Sequence, residues 1–102
     1  MIEDDPHILD SMVDILKSEG FEVRGVRDGR RGMQMVKDWP PDLVISDIMM
    51  PGVDGYTVLR EIRGNTATAT TPFIFSSARV GRDDIRRGME IGADDYLSKP
   101  FT

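Results

Sequence analysis

The sequence predicts an α/β fold in which a parallel sheet carries helices on both faces. Short apolar runs alternate with stretches of helical periodicity along the whole chain, the pattern of strands joined by helical crossovers. One of those runs, Leu43-Val44-Ile45-Ser46, lacks polar alternation, as expected of a central strand buried on both faces. Pro and Gly punctuate the junctions between the runs. With 102 residues the chain holds one core and not two.

Met1-Ile2 is a stub of a first strand, followed at once by Glu3-Asp4-Asp5. Asp5 is placed to cap a first helix, with Pro6 in its first turn. Ile8, Leu9, Met12, Val13, Ile15 and Leu16 recur at helical spacing until Gly20 stops them. Phe21, Val23 and Val26 predict a second strand, and Asp28-Gly29 turns the chain into a second helix running towards Trp39. Gly32 softens that helix, since Gly costs about 1 kcal/mol against Ala in a helix interior.

Pro40-Pro41 ends the second helix and leads into the third, central strand, which delivers Asp47 to its C-terminal end before Pro51-Gly52 turns the chain. Asp54 caps a third helix carrying Val58, Leu59 and Ile62, closed by Gly64. Residues 65–71 read as a polar loop, Pro72 opens the fourth strand Phe73-Ile74-Phe75, and that strand ends in Ser76-Ser77-Ala78. A fourth helix is expected from Arg82 to Ile91, with Ile85 and Met89 one turn apart and Gly92 at its end. Tyr96-Leu97 forms a short fifth strand before Ser98-Lys99-Pro100-Phe101. The first strand is short beside a usual ~5–6 residues, and no helix follows the fifth. The expectation is a single domain over residues 1–102, truncated at both ends.

Composition narrows the function. A formal net charge of −5 lacks the positive field that nonspecific phosphate-backbone binding requires, so no direct nucleic-acid binding is expected. The arginines at 24, 27, 30 and 31 and at 82, 86 and 87 are interleaved with Asp or Gly and read as solvated faces. No cysteine means no disulfide framework and no thiolate metal site. No run approaches the ~20 apolar residues of a membrane span, and no membrane partner is expected.

Parallel topology places the ends of strands one, three, four and five on one edge of the sheet, where α/β proteins bind ligands. Those ends carry Glu3-Asp4-Asp5, Asp47, Ser77 and Lys99. Converging carboxylates repel one another unless a cation neutralises them. Hard oxygen ligands without His or Cys favour Mg²⁺, which takes one or two carboxylates together with waters and phosphate oxygens. A lysine and a serine hydroxyl are both phosphate partners. The set suits phosphoryl transfer, where positioning and charge neutralisation do most of the catalysis, with Asp47 as acceptor.

Four segments together carry a family resemblance: Glu3-Asp4-Asp5-Pro6; Pro41-Asp42-Leu43-Val44-Ile45-Ser46-Asp47-Ile48-Met49-Met50-Pro51-Gly52-Val53-Asp54-Gly55; Ser77-Ala78; and Gly92-Ala93-Asp94-Asp95-Tyr96-Leu97-Ser98-Lys99-Pro100-Phe101. In this order and spacing they resemble a response regulator receiver domain of the CheY-like superfamily. The resemblance implies a flavodoxin-like, doubly wound, five-stranded parallel sheet of order 2-1-3-4-5, with the first strand truncated and the terminal helix missing. It implies a phosphoacceptor switch of a two-component phosphorelay. Asp47 would take the phosphoryl group from a phosphohistidine of a sensor histidine kinase or phosphotransfer protein. Asp4 would bind Mg²⁺ directly and Glu3 through water, with Asp47 and the backbone carbonyl of Met49 completing the protein ligands, which leaves Asp5 as a helix cap.

Lys99 would pair with the phosphoryl group, and Lys99-Pro100 is similar to the family's cis peptide. Ser77 would follow the phosphoryl oxygen, and Tyr96 would swing inward with it as the aromatic switch. A changed face of the fourth helix and fifth strand would control an effector domain or downstream protein, or form a homodimer. The chain would be cytoplasmic and no enzyme beyond its own phosphorylation and dephosphorylation. Three departures stand out: Gly32 replaces an expected Ala, Ser76 sits where an apolar strand residue is commoner, and Ile85 stands where the family's winged-helix transcription-factor branch usually has a basic residue.

Two other readings compete. A haloacid dehalogenase-type phosphatase also places a nucleophilic Asp after a buried strand, but needs a second Asp two residues on, where this chain has Met49. A phosphorylation-independent interaction module would not need the acid pair, Ser77 and Lys99. Met49 and Arg79, two residues beyond Asp47 and Ser77, are neither carboxylate nor amide, so slow self-dephosphorylation is expected.

Overall fold

A computed structural model of the chain describes residues 1–77 and 82–98. The elements run α1 (Pro6–Ser18), α2 (Gly29–Asp38), β1 (Val44–Asp47), α3 (Gly55–Gly64), β2 (Phe73–Ser77), α4 (Arg82–Ile91) and β3 (Asp95–Ser98). All three strands are parallel and lie in the order β1-β2-β3. Val44 pairs with Phe73 and Asp47 with Ser76, while Phe75 pairs with Tyr96.

The expected first and second strands survive as two single-residue bridges. Ile2 bridges Val26 on one side and Ser46 on the other, both parallel. Its backbone is held by Ile2 N–H donating to Ile45 at 2.8 Å and Asp47 N–H donating to Ile2 at 2.9 Å. Read across the sheet, Val26, Ile2, β1, β2 and β3 follow the expected 2-1-3-4-5 order. The correction concerns extent: Phe21 and Val23 are not in a strand, and Phe21 is 62% exposed. A strand exists only where a neighbour takes its backbone groups, and here that neighbour is a two-residue stub.

The first three helices start at aspartate caps, as expected at Asp5 and Asp54 and in addition at Asp28, which the sequence marked only as a turn. Asp5, Asp28 and Asp54 have extended backbones, and their side chains accept N–H groups of the following turn, satisfying donors that a helix start leaves open. The core joins Val36 of α2 and Tyr56, Val58, Leu59 and Ile62 of α3 to Ile2, Val44, Phe73 and Phe75. Gly32 has a packing reason: an added Cβ would collide with the buried Ile2 side chain. The sequence reading of Gly32 as only a soft spot missed this contact. Among the described residues no helix is long and apolar enough to cross a membrane.

Candidate phosphoacceptor and metal site

Asp47 is the last residue of β1 and is buried. Side chains alternate faces along a strand, so Asp47 points away from the face on which Val44 joins the core, and Glu3 points away from the face of Ile2. The Ile2–Ser46 bridge therefore puts Glu3 beside Asp47 in one row across the sheet. Glu3, Asp4 and Asp47 each bring a carboxylate oxygen to a cluster whose members lie within 4.8 Å of one another. Glu3 is fully buried and Asp4 half-buried. Burying like charges this closely is costly unless a cation offsets it. An all-carboxylate donor set of this size fits a hard divalent ion such as Mg²⁺.

Asp5 stands apart from the cluster, as expected of a cap: its Oδ1 accepts the N–H groups of His7 at 2.9 Å and Ile8 at 3.3 Å. Its own N–H donates to Glu3 Oε2 at 3.3 Å, which ties the start of α1 to the buried acid.

The loop after Asp47 is fixed from below. Ser46 donates its hydroxyl to the Asp47 carbonyl at 2.9 Å, and Gly55 N–H donates to the Ile48 carbonyl at 2.8 Å. At Gly55 an added Cβ would run into the Asp47 carbonyl oxygen, with the Ile48 Cα and the Phe75 ring both 2.9 Å away. Only glycine lets the start of α3 press against the end of β1 this closely. The sequence reading took Gly55 as part of a motif and missed this physical role.

Ser77 ends β2 and is buried. It lies one position beyond Ser76, the ladder partner of Asp47. The Met49 side chain is 73% exposed. Lys99 lies outside the described residues, as do Ala78, Arg79, Pro100 and Phe101.

Tyr96, in β3, stands away from the carboxylates. Its half-buried ring is 5.4 Å from Phe75, and its hydroxyl donates to the Asp84 carbonyl of α4. Gly88 opens the space for this: a Cβ there would collide with the Tyr96 hydroxyl. Tyr56, which sequence reasoning passed over, donates to the same Asp84 carbonyl at 3.2 Å, and Arg87 stacks 4.3 Å above its ring. Burial pushes both tyrosine hydroxyls above their ordinary range, Tyr96 further than Tyr56. An aromatic residue directly after the Asp54-Gly55 cap was the signal available for Tyr56.

A second unforeseen feature is Arg63. It donates to the Gly92 carbonyl at 2.9 Å and the Thr71 carbonyl at 2.6 Å and pairs with Asp94 at 3.2 Å. Asp94 in turn accepts the Phe73 N–H at 2.8 Å. One guanidinium thereby pins the entries to β2 and β3, and so the spacing of the strands that end at the site.

The comparisons agree with this geometry. The family described as "Response regulator receiver domain" matches residues 1–102. The DNA-binding response regulator MtrA of Mycolicibacterium smegmatis is 35% identical over 101 residues, 99% of this chain and 43% of that protein. The DNA-binding dual master transcriptional regulator RpaA of Synechocystis is 39% identical, again over 99% of this chain and 42% of that protein. The chain thus spans less than half the length of these curated relatives. Among solved structures, Vibrio cholerae chemotaxis protein CheY4 superposes with a TM-score of 0.95 at 26% identity, over 99% of this chain and 84% of that one. With its full length matched and its carboxylates gathered at the expected strand ends, the chain belongs to the response regulator receiver domain family.

Proposed function

We propose that the chain is the phosphoacceptor switch of a two-component phosphorelay, with Asp47 accepting a phosphoryl group from a phosphohistidine of a sensor histidine kinase or phosphotransfer protein. The observation that carries this reading is the convergence of Glu3, Asp4 and Asp47 within 4.8 Å at the C-terminal edge of the sheet. An Asp47 carboxylate oxygen forms a bond to phosphorus as the P–N bond to imidazole breaks, and the imidazole nitrogen keeps the electron pair. Asp4 and Asp47 would hold Mg²⁺ directly with the Met49 carbonyl, and Glu3 through water. The ion supplies charge neutralisation for the carboxylates and phosphoryl oxygens.

Lys99 is assigned to pair with the phosphoryl group, and Ser77 to donate its hydroxyl to it. In this reading Tyr96 leaves the Asp84 carbonyl as Ser77 moves, and the surface of α4 and β3 changes. The chain catalyses only its own phosphorylation and dephosphorylation, acts in the cytoplasm where the kinase has its nucleotide, and passes the signal to an effector domain or partner. MtrA and RpaA are DNA-binding regulators, which favours a transcriptional output.

The test is incubation with acetyl phosphate and Mg²⁺, read by intact mass. The native chain gains one phosphoryl group and Asp47→Asn gains none. A folded native chain that stays unmodified, or an Asp47→Asn chain modified to the same extent, refutes the assignment.

A further inference from the structure

Ser76 is fully buried, yet its hydroxyl has no hydrogen-bond partner among the described residues. An unpaired buried hydroxyl is costly, and such groups in native structures are uncommon. Its position accounts for it. Ser76 is the ladder partner of Asp47. It follows Phe75, which faces the core, so by alternation it points to the opposite face, the face of Asp47 and Glu3. Glu3, Asp47 and Ser76 form one row across three neighbouring strand positions, about 4.8 Å apart. The row ends in two acids on one side and an unused donor on the other.

We propose that Ser76 is a second hydroxyl of the phosphoryl site, distinct from Ser77, and donates a hydrogen bond to an oxygen of the phosphoryl group carried by Asp47. This rests on Asp47 being the phosphoacceptor. Before phosphorylation the Ser76 hydroxyl has no partner among the described residues, and an unpaired buried hydroxyl raises the free energy of that state. After it, a new acceptor of several oxygens stands one strand spacing away, and the hydroxyl is satisfied. The same atom therefore disfavours the unmodified form and favours the modified one, biasing the switch towards phosphorylation. Ser77, on the next residue and the opposite face of the strand, approaches the group from another direction, so the two hydroxyls do not compete for one acceptor position.

The experiment compares the native chain with Ser76→Ala, using beryllium fluoride and Mg²⁺ as the phosphoryl mimic. Binding is followed by titration, the bound fluorines by ¹⁹F NMR and the unliganded chain by thermal melting. Loss of a hydrogen bond to a charged acceptor is expected to weaken binding about tenfold. One bound fluorine resonance shifts while the others stay, and the melting temperature of the unliganded variant is unchanged or higher, because only an unpaired hydroxyl has been removed. Equal affinity with unchanged resonances overturns the proposal. So does weaker binding accompanied by a lower unliganded melting temperature and displacement of every resonance, which would mark a packing role. If the native chain itself binds no beryllium fluoride, the phosphoacceptor reading fails first, and the two failures are thereby told apart.

Discussion

At Gly55 a single hydrogen atom decides where the Asp47 carboxylate sits. The start of α3 packs against the Asp47 carbonyl and the Ile48 Cα, so Gly55→Ala forces the loop and strand apart. Overpacking of this kind costs about 1–3 kcal/mol. Urea denaturation should show a lower midpoint, with weakened Mg²⁺ binding because Asp47 moves with its backbone. Asp5 is a contrasting case. It caps α1 from outside the carboxylate cluster, so Asp5→Ala should cost about 1 kcal/mol of stability while leaving Mg²⁺ affinity within twofold, read by the same denaturation and by metal titration. Asp5 was legible because capping is local chemistry, written in the residue and its next three neighbours. Gly55, Gly88 and Gly32 were not, because each is required by an atom from another part of the chain: the Asp47 carbonyl, the Tyr96 hydroxyl and the Ile2 side chain.

Among the elements, helices were easier to read than strands. α4 runs from Arg82 to Ile91 as expected, since its apolar spacing and terminal Gly92 are properties of the segment itself. The second strand was over-read. Phe21 and Val23 have strand-like side chains, but pairing depends on a neighbour that offers only Ile2. The junction of α4 and β3 also depends on distant residues, because Tyr56 and Tyr96 both donate to the Asp84 carbonyl. This junction sets an alkaline limit. The native state holds the tyrosine protons beyond 10.0, where an unfolded chain begins to release them. The contribution is therefore complete below that pH and is lost progressively as pH rises from it towards the higher folded-state value. Stability from denaturant midpoints should fall above about pH 10, and Tyr96→Phe should flatten the fall. In a tyrosinate absorbance titration the Tyr96 signal should appear only at the high end of the native curve and be absent from that of Tyr96→Phe.

For the whole molecule, topology does the work that no single segment shows. Parallel strands gather their C-terminal ends on one edge, which is why the adjacent Glu3 and Asp4 form one carboxylate cluster with Asp47, more than 40 residues further along the chain. A groove of about 340 Å³ lies elsewhere, lined by Leu16, Phe21, Val23, Trp39 and Leu43 among others. It is mainly apolar and holds none of the clustered acids. The alternation of strands and helices and the gathering of the acids at one edge were legible in the sequence, and the strand order through the family resemblance. The tie made by Arg63 to the Thr71 and Gly92 carbonyls was not, because it joins two loops through backbone acceptors that carry no sequence signature.

One aspartate, at the end of the central strand, is proposed to carry the phosphoryl group. Borohydride reduction of the acetyl phosphate-treated chain tests it most directly, since it converts an aspartyl phosphate to homoserine that peptide mass spectrometry can place. Homoserine is expected at position 47 and nowhere else. Homoserine at position 4, 42 or 54 in place of 47 would contradict it.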